Sequence, residues 1–162
     1  PEVLPSVQID KIKTSISKYA RQAPVFFSRI KYANPKPVTA GLNSECSERV
    51  ILVSGIASSQ QLEDYVMRRF KLVKHLKYKD HHHYSAQDLM QIKDVYDQNL
   101  GEPLSILTTE KDIVKWLAAS LRVIIQELPV FYLPLEVDFL KDSDRFDHLV
   151  LNSFDNTEDN GR

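Results

Sequence analysis

Positions 50–121 show two residue patterns that alternate along the chain. A β-rich run comes first, apolar residues at helical spacing follow it, and this order occurs three times. The predicted strands are 50–56, 71–78 and 104–109. The first predicted helix starts at Ser58 or Ser59, and the second starts at Ser85, with Asp88 as part of a capping box. The third predicted helix starts at Glu110 and runs over 110–121. This alternation predicts an α/β fold, in which helices pack on a mostly parallel sheet.

The flanking segments have weaker patterns. They predict a helix over 7–21 with Ser6 as its N-cap, a strand at 24–32, a connection at 33–48, and a long β-rich segment at 130–140 that Pro134 interrupts. The last 22 residues hold six acidic and three basic residues, which predicts a short helix and a frayed tail.

Parallel strands bring the loops that follow them to one edge of a sheet. Here those loops are 54–59, 79–85 and 108–112. Ligands of open α/β sheets bind at that edge. The three loops are therefore the candidate functional site.

The second of these loops contains the stretch "DHHHY", residues 80–84. A histidine there could accept a proton, bind a metal, pair with a phosphate, or belong to a polar turn without further function. Asp80 could orient one of the rings. Consecutive turn residues point in different directions, and the spacing of zinc ligands is absent. The pattern alone leaves a polar turn, acid–base chemistry and a metal site open, although the spacing argues against the metal site.

Two further stretches have both a structural and a functional interpretation. "TTEKD" (108–112) suits a helix start capped by Thr108 or Thr109, or an anion site that uses Lys111 and free backbone N–H groups. Residues 68–79 hold six Lys and Arg residues without an acid. They could attract phosphates or an anionic membrane, or form the solvated face of an edge strand.

Composition narrows the function classes. The 162 residues carry a net charge of −1, which gives no overall attraction to nucleic acid, and no apolar run is long enough to span a bilayer. The single cysteine, Cys46, cannot form an internal disulfide and has no signature of a nucleophile. With four glycines, the chain contains neither a P-loop nor a dinucleotide-binding motif. Because it opens on Pro1 rather than Met, we expect a piece of a longer protein.

Four stretches in fixed order resemble the C-terminal part of the tetraacyldisaccharide 4'-kinases, the kinases of the lipid A pathway. They are "VSGIASSQQLEDYV", "YKDHHHYSAQDL", "LTTEKDIVKW" and "FYLPLEVDFL". The second is similar to a D-H-H turn of that family and the third to its T-E-K-D segment. Upstream, "PVFFSRIKY" and "PEVLPS" are also similar to segments of that family, so the resemblance covers most of residues 1–140.

The resemblance implies a function and a set of site residues. Such enzymes transfer the γ-phosphate of ATP to the 4'-hydroxyl of a tetraacyldisaccharide 1-phosphate, require Mg²⁺, and act at the cytoplasmic face of the inner membrane as peripheral proteins. By motif, the catalytic residue is His81, which would help to activate the sugar hydroxyl together with an Asp of the family's first half. Asp80 and His82 would support it. Glu110, Lys111 and Asp112 match T-E-K-D, as supporting or substrate-binding residues without an assigned role.

The resemblance also implies a domain division. Residues 1–23 would be a remnant of the P-loop-like nucleotide-binding domain, 24–140 a C-terminal α/β lobe with β-rich linkers at 24–32 and 130–140, and 141–162 a C-terminal helix and acidic tail. The Walker A loop would lie upstream of Pro1. We therefore expect this chain alone to be inactive and to hold no ATP, metal or nucleic acid. Two alternatives are a non-enzymatic α/β module that binds phosphate or lipid, and a DHH-type metal-dependent phosphoesterase.

Overall fold

The structure, a computed structural model, describes residues 4–38 and 45–155. In chain order its elements are α1 Ser6–Ser17, β1 Ser28–Tyr32, β2 Lys36–Pro37, β3 Arg49–Ser54, α2 Gln60–Arg69, β4 Lys71–Lys77, α3 Ala86–Asp97, β5 Leu104–Thr109, α4 Glu110–Trp116, α5 Ala119–Ile125, β6 Val130–Leu133, β7 Leu135–Phe139 and α6 Ser143–Asp155. The chain forms two compact units, Lys31–Glu136 and the combination of Pro1–Ile30 with Val137–Arg162. The division predicted at residues 23 and 140 stays a prediction.

A five-stranded sheet organises the unit Lys31–Glu136. Its strand order is β2-β6-β5-β3-β4, and every neighbouring pair is parallel except β2 with β6. The predicted α/β fold with a mostly parallel sheet is thus confirmed. Strand β2 is two residues long and lies inside the predicted connection 33–48, of which 39–44 are outside the described residues. Its Pro37 is compatible with an edge position, where a strand can lack an N–H donor.

Helices cover both faces of this sheet. In β3, Val50 and Leu52 pack in a cluster with α2, whereas Ile51 and Val53 pack in a cluster with α3, α4 and α5. Alternate residues of a strand point to opposite faces, so β3 contributes to both layers. All six residues of β5 are buried. Burial on both faces is typical of parallel strands, and each fully buried aliphatic side chain contributes about 1.5–3 kcal/mol.

The predicted helix over 110–121 is divided into two in the structure. Helix α4 ends at Trp116, and Ala118 adopts an extended conformation (φ −54°, ψ 139°) before α5 begins. The prediction of one continuous helix is therefore wrong. After the break, Leu121 and Ile125 are buried in the same cluster as Trp116. Because burial of these side chains contributes more free energy than a few helical hydrogen bonds, tertiary packing overrides the local helical pattern.

Three predictions for the first 32 residues are wrong in detail. Helix α1 ends at Ser17 rather than at residue 21, and Pro5, not Ser6, occupies its N-cap position. The carbonyl of Pro5 accepts the N–H groups of Gln8 and Ile9, so the proline closes the first turn itself. Strand β1 is shorter than predicted, since it begins at Ser28 rather than at residue 24.

Aromatic packing explains why the predicted strand loses its first residues. The ring of Phe26 makes edge-on contacts with Phe139 and Phe146, with centroid distances of 6.4 and 5.3 Å. The Phe26 side chain, part of the apolar pattern that suggested a strand, packs in this cluster. Helix α6 confirms the predicted C-terminal helix, and the predicted frayed tail beyond it, 156–162, lies outside the described residues.

Candidate functional site

The loops after β3, β4 and β5 are joined by three contacts. The N–H of Gly55 donates to Asp112 Oδ2 at 2.8 Å, Lys111 Nζ donates to Asp80 Oδ1 at 3.0 Å, and Lys115 Nζ donates to the His82 carbonyl at 3.0 Å. The predicted meeting of three loops at the carboxyl edge is therefore confirmed. Sequence reasoning did not find Lys115, which follows Asp112 by less than one helical turn.

Helix α4 begins with a buried carboxylate. Thr109 is its N-cap: the Thr109 side-chain oxygen accepts the Asp112 N–H at 3.1 Å, and its hydroxyl donates to Asp112 Oδ2 at 2.8 Å. Of the two predicted caps, Thr109 is thus confirmed, while the Thr108 hydroxyl donates to the Val53 carbonyl at 3.0 Å. The side chain of Asp112 is 0% exposed, and its Oδ1 also accepts from Lys115 Nζ at 3.3 Å. The carboxylate fixes the start of α4 against the loop after β3.

Gly55 lies close to three neighbouring groups at this contact. A Cβ on Gly55 would lie 3.1 Å from Asp112 Oδ1, 3.1 Å from the Tyr84 hydroxyl and 3.3 Å from the Lys79 carbonyl. The Tyr84 hydroxyl is buried and has no hydrogen-bond partner among the described residues. Burial, with the Asp112 charge as a smaller cause, raises the pKa of Tyr84. This hydroxyl therefore stays protonated. A larger residue at position 55 would require these three neighbours to move by a few tenths of an ångström.

Glu110 and Lys111 point away from Asp112 to other elements. Glu110 Oε2 accepts the backbone N–H of Leu135 at 3.3 Å, so Glu110 connects the start of α4 to the start of β7. Lys111, which the anion-site interpretation needs as a ligand, is paired with Asp80. The hydrogen bond from Lys111 is the main cause that lowers the pKa of Asp80. The T-E-K-D residues thus have structural partners, which favours the helix-start interpretation of this stretch.

His81 occupies an unusual position in the turn between β4 and α3. Its φ is +58°, the left-handed region, which costs a non-glycine residue about 1–2 kcal/mol. The turn is closed by two backbone donors: the His81 N–H donates to Asp80 Oδ1 at 3.0 Å, and the His82 N–H donates to the Lys79 carbonyl at 3.1 Å. The His81 side chain is 79% exposed, and its Nε2 lies 3.6 Å from Asp80 Oδ2. The imidazole is therefore accessible beside a carboxylate.

The His82 ring, unlike that of His81, is packed against aromatic side chains and is less exposed. Its ring lies against Tyr78 and Tyr84, with centroid distances of 4.7 and 4.9 Å. Its Nε2 is 3.1 Å from Asp88 Oδ2, and Asp88 also completes the capping box with Ser85. The predicted cap at Ser85 is thus confirmed. Because the His82 ring is packed and paired, it can support the turn but is not accessible as His81 is.

The described residues do not fit a metal or a nucleotide phosphate. Within 4–38 and 45–155 no group of three or more His, Cys, Asp or Glu side chains could hold a metal ion. The two described glycines, Gly55 and Gly101, lie apart in the chain, so a glycine-rich phosphate loop cannot form from them. Cys46 is no alternative nucleophile, since burial raises its pKa to about 11. The described residues therefore do not form a site for ATP or Mg²⁺ by themselves.

The basic stretch 68–79 maps mainly onto β4, an edge strand of the sheet. The exposed residues of β4 are Lys71, Lys74 and Lys77, at every third position. Lysines on a sheet edge oppose pairing with another chain, so this arrangement favours the solvated-edge interpretation. Within the described ranges, none of the helices is both long enough and apolar enough to cross a membrane.

A second cluster of polar side chains lies between β3, β4 and α2. His75 Nε2 is 2.9 Å from Ser54 Oγ, and His75 Nδ1 is 3.2 Å from Glu63 Oε2. Glu63 also pairs with Lys77 at 2.5 Å. The order serine–histidine–glutamate resembles a nucleophilic relay. However, Ser54 is 2% exposed, so a substrate cannot reach its hydroxyl, and we interpret the cluster as structural.

This cluster predicts how stability depends on pH. Burial lowers the pKa of His75, and the hydrogen bond from Lys77 is the main cause that lowers the pKa of Glu63. As the pH falls below about 6.5, the unfolded-state pKa of histidine, His75 becomes protonated in the unfolded chain before it does in the folded protein. The proton therefore stabilises the unfolded state, and the free energy of unfolding falls as pH decreases. Glu63 adds a second loss below its unfolded-state pKa of about 4.3.

Urea unfolding between about pH 7.5 and pH 5 measures the histidine contribution, which is at most about 1.4 kcal/mol per pH unit for one proton. We expect the His75→Gln variant to show a smaller slope over this range. His83→Gln replaces an exposed histidine and should leave the slope unchanged. Equal slopes in the wild type and His75→Gln would contradict the assignment.

The sheet and its three joined loops define this chain as an α/β domain with a candidate site at the carboxyl edge of the parallel strands. Comparison with known proteins supplies the family. Residues 5–155 match the model of the family described as Tetraacyldisaccharide-1-P 4'-kinase. The chain belongs to this family, and the resemblance of its four stretches is confirmed.

Individual relatives are similar over most of this chain. The tetraacyldisaccharide 4'-kinase of Bacteroides thetaiotaomicron is 28% identical over 167 aligned positions, and the alignment covers 93% of this chain and 43% of that protein. The enzyme of the same name from Cytophaga hutchinsonii is 30% identical over 124 residues, or 76% of this chain and 34% of that protein. The crystal structure of the "apo" form of LpxK from Aquifex aeolicus in complex with ATP is similar with a TM-score of 0.45 and 19% identity, over 83% of this chain and 40% of that chain. This chain thus spans less than half the length of these relatives.

Proposed function

We propose that this chain is the His81-bearing lobe of a kinase that transfers the γ-phosphate of ATP to the 4'-hydroxyl of a tetraacyldisaccharide 1-phosphate. Family membership over residues 5–155 supports the reaction. The observation that carries the assignment of His81 is its accessible ring, 79% exposed, on a left-handed residue at the carboxyl edge of the sheet. Such backbone conformations cluster at functional sites.

The proposed role of His81 is to accept the proton of the 4'-hydroxyl as this oxygen attacks the phosphorus atom. A neutral imidazole nitrogen can accept a proton from a hydroxyl within hydrogen-bond reach. Asp80 Oδ2, at 3.6 Å from His81 Nε2, would stabilise the imidazolium that forms. Residues outside the described ranges would hold ATP and Mg²⁺, which supply the phosphoryl group and neutralise its charge. The disaccharide lipid would bring the protein to the inner membrane as a peripheral enzyme at its cytoplasmic face.

A direct assay on the full-length protein tests the reaction. The purified protein is incubated with ATP, Mg²⁺ and tetraacyldisaccharide 1-phosphate, and the lipid product is examined by mass spectrometry and by NMR of the sugar ring. We expect a second phosphate on the 4'-oxygen and one ADP per phosphate transferred. ADP release without a phosphorylated lipid would contradict the proposed acceptor.

The same preparation separates the two alternatives. Lipid or phosphate binding with no turnover would favour a binding module. Hydrolysis of phosphodiesters that depends on bound Mn²⁺ would favour a phosphoesterase, although the described residues contain no group of three ligands for such an ion. Either result would replace the kinase proposal.

A further inference from the structure

The accessible ring of His81 is held in place almost entirely through its neighbours. The His81 side chain is 79% exposed, so packing on the ring itself restrains it little. Two hydrogen bonds restrain the left-handed residue: its own N–H donates to Asp80 Oδ1, and the His82 N–H donates to the Lys79 carbonyl. A left-handed conformation at a non-glycine residue persists only where its surroundings impose it. Of these two restraints, the one that bonds the His81 backbone directly depends on the position of the Asp80 carboxylate.

The Asp80 carboxylate is fixed from a second side. Asp80 Oδ1 accepts both the His81 N–H and Lys111 Nζ, each at 3.0 Å. The Asp80 side chain is 35% exposed, so without Lys111 it could rotate toward water and release the His81 N–H. Lys111 thus joins the first turn of α4 to the residue that orients the imidazole.

We propose that Lys111 is a positioning residue for His81, acting through Asp80. The inference rests on the proposed function, because it assigns Lys111 a part in the same proton transfer. Lys111 does not contact the imidazole and is not offered as a substrate ligand.

The helix that carries Lys111 is itself anchored. Asp112, the next residue, is buried and accepts the Gly55 N–H at 2.8 Å, which fixes α4 to the loop after β3. Lys115, four residues after Lys111, donates to the His82 carbonyl at 3.0 Å. Lys111 therefore acts from a rigid support, and the turn is held at Asp80 and again at His82. Residues that act on a reacting group from rigid elements hold it more accurately than residues on free loops.

The test uses the full-length kinase with Lys111→Met, which keeps the length of the side chain and removes its charge. We expect kcat to fall about tenfold to a hundredfold, because a small displacement of a catalytic group is costly, while KM for ATP and for the lipid stays within about twofold. Lys111→Arg can still donate to Asp80 and should retain most of the activity. Unfolding in urea should change little, since exposed ion pairs contribute little to stability.

A matched control is available on α3. Lys93 makes an exposed pair with Asp97 at 2.6 Å, with side-chain exposures similar to those of Lys111 and Asp80. Lys93→Met should therefore leave kcat unchanged. If it lowers kcat as much as Lys111→Met does, the effect is one of general charge loss and the proposal is wrong.

The double variant decides whether Lys111 acts through His81. In a His81→Ala background, Lys111→Met should lower the residual kcat by less than about twofold. An equal loss in both backgrounds would overturn the proposal, and so would a higher KM for the lipid at unchanged kcat. A loss with His81→Ala but none with Lys111→Met overturns this inference alone. No loss with His81→Ala overturns the role proposed for His81, and this inference with it.

Discussion

Replacing His81 by alanine in the full-length kinase is expected to lower kcat by about 10²–10⁴-fold, with a much smaller change in KM for ATP. The expected loss is in kcat because the proton is transferred only as the sugar oxygen attacks. Steady-state kinetics at saturating lipid, with ATP varied, measures both constants.

Two further variants separate chemistry from backbone conformation. Alanine is unfavourable at φ +58°, so part of its effect could come from a rearranged turn. Asparagine tolerates the left-handed region, and His81→Asn should lose as much activity as His81→Ala because it still lacks a base. His83, an exposed histidine two residues away, is the matched control, and His83→Ala should keep kcat within about twofold of wild type. An unchanged kcat in His81→Asn would remove His81 from the mechanism.

The strands of the parallel sheet were predictable because their pattern reports burial directly. Leu104–Thr109 is apolar or uncharged throughout, and every residue of it is buried, as the sequence suggests for a strand covered on both faces. The meeting of the three loops followed from the same alternation, because right-handed crossovers place the carboxyl ends together. The break at Ala118 was not predictable, since the residues around it continue a helical pattern and only the burial of Leu121 and Ile125 selects two helices.

In the candidate site, too, the contacts between residues close in sequence were predictable and those between distant residues were not. The Ser85 cap and the Thr109 cap depend on residues three positions away. The sequence predicted the Ser85 cap directly, and the Thr109 cap as one of two candidates with Thr108. The resemblance distinguished His81 from the two other histidines of the turn, and its catalytic role remains a prediction. The contact between Gly55 and Asp112 joins residues 57 positions apart, and the pairing of Lys111 with Asp80 spans 31. Contacts at such separations depend on the folded sheet, and a local pattern does not encode them.

Asp112→Ala is expected to have the largest effect on stability, a loss of about 3–5 kcal/mol. The substitution leaves the buried Gly55 N–H without an acceptor, and it removes the buried partner of Lys115 and of the Thr109 hydroxyl. Hydrogen bonds to a charged group contribute more than neutral ones, and an unsatisfied buried donor adds its own cost. Urea unfolding of the purified protein, followed by circular dichroism, gives the free energy of unfolding.

A loss of this size approaches the total stability of a small domain, about 5–15 kcal/mol, so a milder variant is needed as well. Asp112→Asn keeps one side-chain oxygen for the Gly55 N–H but removes the charge, and we expect about 1–3 kcal/mol. Asp97→Ala removes an exposed, ion-paired aspartate and should change stability by less than about 0.5 kcal/mol. If Asp112→Ala costs no more than Asp97→Ala, the carboxylate does not anchor α4. Other contacts would then have to fix helix α4, which carries Lys111.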